Sequence, residues 1–274
     1  MKPVISAIIG ISIIFLATTL GAAMVFIFRK KKVSNTLNKI IVGFAGGIML
    51  SASIFSLINP ALETEVSYMP SWLVVALSVL LGALFLWGID KLVPHLHVAE
   101  KQEEGIPTRR VNKTTKMFLA VTIHNIPEGL SVGIAYGVAL ALLKNDINNP
   151  AGVAALSGAL MLAIGIAIQN VPEGTAVSLP IQSETGNSGK AFLFGMFSGI
   201  VEPIAAIGGL FLAYFLSPIM PWALGFAAGA MIYVIIEEMV PEASEEENEG
   251  KHNHYGVWAF MIAFVIMMIL DSAL

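Results

Sequence analysis

Eight long apolar runs divide this chain and leave it few folds to choose from. They cover roughly residues 4 to 28, 36 to 60, 71 to 93, 115 to 141, 151 to 180, 190 to 216, 219 to 240 and 255 to 273. Each is near or above the roughly 20 residues that a helix needs to cross bilayer hydrocarbon. A mean hydropathy of +0.80, with 56% hydrophobic and only 12% charged residues, excludes a soluble domain with a large core. The expected fold is therefore all-α: a polytopic membrane protein whose eight transmembrane helices form a single domain over residues 1–274. The chain has no cysteine, so disulfides and thiolate metal ligation are both excluded.

Orientation follows the placement of Lys and Arg, not the net charge of -4. The first run starts after Lys2 and passes Gly21-Ala22-Ala23, which superficially suggests a signal peptide. It is too long for one, and Arg29-Lys30-Lys31-Lys32 follows at once, so it reads as a retained helix. If the helices alternate in direction, 13 of the 15 basic residues fall on one side, leaving only Lys2 and Lys144 on the other. The positive-inside rule then puts the basic side in the cytoplasm and both termini on the exterior side of the cell membrane. The charged stretch from about 94 to 114 reads as a flexible cytoplasmic linker.

The runs are internally related. Gly43-Phe44-Ala45-Gly46-Gly47-Ile48-Met49 in the second run matches Gly225-Phe226-Ala227-Ala228-Gly229-Ala230-Met231 in the seventh at five of seven positions, at an offset of 182. His124-Asn125-Ile126-Pro127-Glu128-Gly129 in the fourth run recurs in the fifth as Gln169-Asn170-Val171-Pro172-Glu173-Gly174. The pattern is three helices, a central pair and three helices. With alternating helices, the second and seventh runs cross in opposite senses, which makes the repeat inverted, as in many secondary transporters with a midplane substrate site.

The polar residues inside these runs carry the chemistry. An ionised carboxylate at the bilayer centre costs about 2.5 to 3.5 kcal/mol on insertion scales, so packing alone does not select Glu128, Glu173 or Glu202. A bound cation offsets that cost. On a helix, the i, i+4 spacing of His124 and Glu128 puts imidazole and carboxylate on one face, and Gln169 and Glu173 repeat the arrangement. Pro127 and Pro172 each remove a backbone N–H and crowd the carbonyl four residues back, which predicts a kink beside the ligands. Glu202 stands next to Pro203 midway along the sixth run. Glu238 and Glu242 lie toward the cytoplasmic end of the seventh, ahead of a Glu245–Glu249 stretch that reads as a solvated acidic loop. Asp90 reads as a solvated helix end beside a snorkelling Lys91, with His95 and His97 just beyond as weakly specific metal-handling candidates. Met49 is the one soft donor near mid-membrane in the second run, and core filler is its alternative role. Together, Glu128, Glu173, Glu202 and His124 describe a buried N/O site for a divalent first-row metal.

With its paired Pro-Glu-Gly motifs on helices four and five, its eight helices and Glu202-Pro203 in the sixth, the chain resembles the ZIP family of divalent-metal transporters, in its prokaryotic GufA-like branch. The resemblance covers essentially the whole length. It implies one metal site from His124, Glu128, Gln169 and Glu173 with Met49 nearby. It implies a second from Asn125, Asn170 and Glu202, bridged by the same Glu128 and Glu173. It further implies Zn²⁺, and in some members Fe²⁺, Mn²⁺ or Cd²⁺, as transported ion and not as cofactor, carried into the cytoplasm. Many members are dimers, and an elevator-like motion of one helix group against another has been proposed for them. The helix faces here are compatible with a monomer or a homodimer in the lipid bilayer.

Gln169 stands where many members have His, and Asn170 where some have Asp, so the site carries less ligand charge and should release its ion more readily. The expected mechanism is alternating access without covalent chemistry, with no nucleic acid partner. Since bound metal and protons compete for the same carboxylates, uptake should weaken as pH falls. Two other readings stay open on the residues alone: an intramembrane metalloenzyme with Glu128 as general base, although no HExxH is present, and a metal-stabilised sensor that binds without flux.

Overall fold

The computed structural model describes residues 2–28, 34–93, 95–97, 102–104, 113–215, 219–245 and 253–273. Eight helical spans are long and apolar enough to cross a membrane: α1 (Pro3–Phe26), α2 (Asn35–Glu63), α3 (Ser71–Leu92), α4 (Thr114–Leu143), α5 (Pro150–Thr185), α6 (Ser188–Phe215), α7 (Met220–Ser244) and α8 (Tyr255–Ser272). Their bounds fall within about five residues of those expected from the apolar runs. The principal difference is α5, which continues through Pro180 to a left-handed Gly186 that caps it. Glycine is the residue that adopts φ +68 at no steric cost.

Between α3 and α4 the chain departs from a plain linker. His95–His97 (β1) and Gln102–Glu104 (β2) pair antiparallel, His95 opposite Glu104. Of the cationic residues used to orient the chain, Arg29–Lys32, Lys101, Arg109, Arg110 and Lys251 lie outside the described residues, as do 246–249 of the acidic stretch. Asp90 is a correction: it is only 2% exposed, not solvated. The end of α3 is covered there, with Leu86 packed among Ile123 of α4 and Val234 of α7. Lys91 does stay outside, its Nζ 4.7 Å above the Trp87 ring.

The helices pair as the internal repeat requires. α1 packs along α5 and α4 along α6, while α2 packs along α8 and α3 along α7. Exchanging the first three helices with the last three, and α4 with α5, converts each pairing into its counterpart. The repeated glycines make the closest approaches. A side chain at Gly43 or Gly47 would overlap the Gly256 or Phe260 carbonyl of α8, and one at Gly225 or Gly229 would overlap Ser78 or the Val79 carbonyl of α3. Gly129 and Gly174, which close the two Pro-Glu-Gly motifs, press in the same way on the Glu202 and Thr18 carbonyls. Small residues here let backbones meet where lipid supplies no hydrophobic drive between helices.

Departures from α-helical winding also obey the repeat. Ser53–Ile58 and Ile235–Met239 are π-helical, starting 182 residues apart and each followed by a proline, Pro60 or Pro241. Pro127 and Pro172, by contrast, lie inside helices whose winding is uninterrupted. α6 is broken: one helix ends at Ser198, and the next runs Val201–Phe215 with Glu202 and Pro203 in its first turn. Proline fits there, since a first-turn N–H has no intrahelical partner to lose.

Candidate metal site

A cavity of about 160 Å³ opens along the seam where α2 and α7 face α4 and α5. Its walls follow helical periodicity. Asn38, Ile41 or Val42, and Ala45 present one face of α2, while Ala120, His124 and Glu128 present one face of α4. Glu173 and Val177 come from α5, Glu238 and Glu242 from α7. All four helices contribute the ends nearest the 94–114 segment, so the cavity runs from mid-span toward that end of the bundle.

At its deep end the two motifs meet. Gln169 Nε2 donates to Glu128 Oε1. Ser131 Oγ donates to the Glu128 carbonyl at 2.7 Å, one turn further along α4. Glu128 is 1% exposed and Gln169 wholly buried. Glu128 Oε2, Glu173 Oε2, Gln169 Oε1 and Asn125 Oδ1 have no hydrogen-bond partner among the described residues. Leaving a buried acceptor unpaired costs about 1–3 kcal/mol, more for a charged one, so these four oxygens are costly as they stand and a cation is one partner that would satisfy them. Among the described residues, no three His, Asp or Glu side chains by themselves gather closely enough to hold a metal. His124 points toward the cavity mouth, its Nε2 3.0 Å from Glu238 Oε1. Near the mouth, Asn38 Nδ2 donates to Glu242 Oε1 at 2.6 Å.

Behind this site lies a second cluster with the opposite character. Glu202 is fully buried and accepts three hydrogen bonds: from Thr18 Oγ1 at 2.7 Å and Asn125 Nδ2 at 3.1 Å onto Oε1, and from Asn170 Nδ2 at 2.8 Å onto Oε2. Both amides turn their NH₂ groups to it, matching donors to its acceptor oxygens. The same amides reach backbone carbonyls, Asn125 that of Ser198 and Asn170 that of Ile14, each at 3.2 Å. The cluster therefore ties α1, α4, α5 and α6 together. Gln169 Nε2, 3.3 Å from Asn170 Oδ1, links it to Glu128.

Of the eight residues that the resemblance assigns to two metal sites, seven fall in two adjoining clusters: His124, Glu128, Gln169 and Glu173 in one, Asn125, Asn170 and Glu202 in the other. Met49 is completely buried in the apolar core with Met231, its repeat counterpart, and is not on the cavity wall. It continues the α2 face one turn beyond Ala45, past the blind end. Thr18 and Asn38 were not anticipated. Thr18 had a signal, a Thr18-Thr19 pair interrupting an otherwise apolar run, but one hydroxyl in a helix ordinarily bonds the carbonyl four back, as Thr18 also does to Ile14.

The family model described as ZIP zinc transporter matches residues 3–117 and 152–271. The human zinc transporter ZIP11 is 33% identical over an alignment that takes in 99% of this chain and 98% of the human protein. The zinc transporter GufA of Myxococcus xanthus is 35% identical over 93% of this chain and 94% of its own length. The zinc transporter ZIPB of Bordetella bronchiseptica is 35% identical over 98% of this chain and 81% of its own. Matches of this extent, on an eight-helix inverted repeat built around two Pro-Glu-Gly motifs, place this multi-pass membrane protein in the ZIP zinc transporter family.

Proposed function

We propose that the chain carries divalent metal ions, Zn²⁺ first among them, across the cell membrane into the cytoplasm. Its relatives are named zinc transporters and not enzymes, which favours transport over the metalloenzyme and sensor readings. The observation that carries the reading is the set of buried oxygens without hydrogen-bond partners among the described residues, on Glu128 and Glu173, which line an open cavity, and on Gln169, which is bonded to Glu128. With both termini outside, that cavity faces the cytoplasm, and the conformation is the one from which an ion leaves.

Release then follows the cavity wall. An ion held by Glu128, Glu173 and Gln169, with His124 as nitrogen donor, exchanges those groups for water as it passes the His124–Glu238 pair and then Glu242. His124 serves the ion only by giving up Glu238, so that pair acts as a handover from the buried site to the mouth. A second ion beside Glu202 requires more: Asn125 and Asn170 must rotate their oxygens inward, and Thr18 must release Oε1. The first site accepts an ion once His124 has turned from Glu238. The second does so only after rearrangement, so occupancy should be ordered, first site before second.

The test is zinc influx into sealed proteoliposomes loaded with a fluorescent metal indicator, comparing wild type with a Glu128→Ala, Glu173→Ala double variant. Saturable influx that the double variant loses supports the reading. Metal binding by wild type without influx overturns it in favour of a sensor. Wild-type uptake should also weaken from pH 8 to pH 5.5, because protons compete with metal for the same carboxylates. A flat profile contradicts carboxylate ligation.

A further inference from the structure

At the opposite end of the bundle from the metal cavity, α1, α4 and α6 leave a groove of about 650 Å³ between them. Its walls are apolar along most of their length, with Ile8 of α1 and Ile207 and Phe211 of α6 among them. These three are 60%, 50% and 54% exposed, so the groove opens sideways into the surroundings of the helices. In a membrane-spanning chain those surroundings are acyl chains.

The rim is different in kind. Lys144, just past the end of α4, lines the groove, and its Nζ lies 5.4 Å from the centroid of the Tyr214 ring, which lines it too. Lys2 is the exposed residue that caps α1, immediately before the groove residues Pro3 and Val4. Lys2 and Lys144 are the two basic residues that helix alternation assigns to this end of the chain, against 13 at the other. Both border the same apolar groove. An ammonium at headgroup level above a hydrocarbon slot complements a molecule with one anionic head and long apolar tails.

We infer that this groove is a binding site for an anionic phospholipid, whose phosphate is received by Lys144 and Lys2 and whose acyl chain lies along Ile8, Ile207 and Phe211. The aromatic ring of Tyr214 fixes the height of the site, since it holds Lys144 at the boundary between headgroups and hydrocarbon. The lipid would bridge α1, α4 and α6, three of the four helices tied together by Glu202. The inference does not depend on which metal is moved, or on transport at all.

The experiment is lipid retention by the full-length chain in detergent, titrated with phosphatidylglycerol or phosphatidylcholine of matched acyl chains and read by native mass spectrometry. A surface charge attracts anionic lipid by about fivefold per lysine, so wild type should hold phosphatidylglycerol over phosphatidylcholine by about tenfold or more. Lys2→Ser with Lys144→Ser should remove most of that preference. Ile8→Trp with Ile207→Trp keeps both lysines and fills the slot, and should displace the same lipid. All four positions are exposed or at the rim, so neither variant threatens folding. Wild-type preference surviving in both variants overturns the site. Loss in the lysine variant alone shows diffuse charge attraction and overturns the groove. If the tryptophans instead change the oligomeric state without changing lipid retention, a second copy of the chain is the occupant and the lipid assignment fails.

Discussion

Glu128 and Glu202 are both buried carboxylates in mid-span, 1% and 0% exposed, and they are wired in opposite ways. Glu202 sits under three donors from three other helices, with both oxygens engaged. Glu128 has one donor, an amide, and its second oxygen faces no partner. The first arrangement satisfies the carboxyl oxygens internally and so binds helices to one another. The second leaves lone pairs for something that arrives from the cavity. Two acids that look alike in sequence thus differ in how far their oxygens are satisfied, and on the proposed function that difference makes Glu128 the readier ligand and Glu202 the fastening.

The sharpest way to break that comparison is to remove one charge from each acid. Glu128→Gln should lower zinc influx by about 100-fold or more, since even partners that merely orient ligands are worth about 10- to 100-fold in metal affinity. Its effect on thermal stability in detergent should be small or favourable, because it removes a buried charge that is only partly satisfied. Glu202→Gln should do the reverse. One oxygen becomes an NH₂ facing donors, at a cost of about 3 kcal/mol, visible as a large fall in melting temperature with influx reduced far less in the surviving folded protein. If the two variants show the same profile, the division into ligand and fastening is wrong, and both acids serve one binuclear centre.

Thr18→Val tests the fastening alone and should have an intermediate effect. It deletes a hydrogen bond to a charged acceptor while preserving shape, so about 1.5–3 kcal/mol of stability should be lost. Thr18→Ser should restore most of it. Zinc affinity at the first site should be unchanged in both, measured by competition with a calibrated indicator. A Thr18→Val chain with wild-type stability would mean that Glu202 does not depend on its α1 partner.

Much of this architecture is legible in the sequence itself. Eight apolar runs match eight helices, and the offset of 182 relates matching glycines; that π-helical turns recur at the same offset is seen only in the structure. The residues of both clusters were also readable, because a polar side chain inside hydrocarbon announces itself. What stayed hidden is what depends on a neighbour's orientation. Thr18 matters through a carboxylate 184 positions away, and nothing in its local sequence distinguishes it from Thr19. Asp90 looked solvated because it follows an apolar run, and it is buried because two other helices cover that end. Met49 shows the converse limit. Of its two readings, soft donor near the site or core filler, the burial of its side chain among Met231 and other apolar residues fits the second.

The smallest effect should come from the cavity mouth, and it bears on how the two regions communicate. Glu238 is about a fifth exposed and meets His124 at 3.0 Å, so their attraction is solvent-screened and worth no more than about 1 kcal/mol. Glu238→Gln keeps the shape and removes the charge that competes with an ion for His124. If His124 alternates between ion and Glu238, freeing it should tighten zinc binding at the deep site by up to about fivefold while slowing release, so that influx saturates at lower zinc with a lower maximal rate. A lower maximal rate with unchanged affinity would place Glu238 on the exit path without any exchange of His124. Weaker binding would make Glu238 itself a ligand of the deep site, extending the unsatisfied region from Glu128 to the mouth and sharpening its contrast with the hydrogen-bonded Glu202.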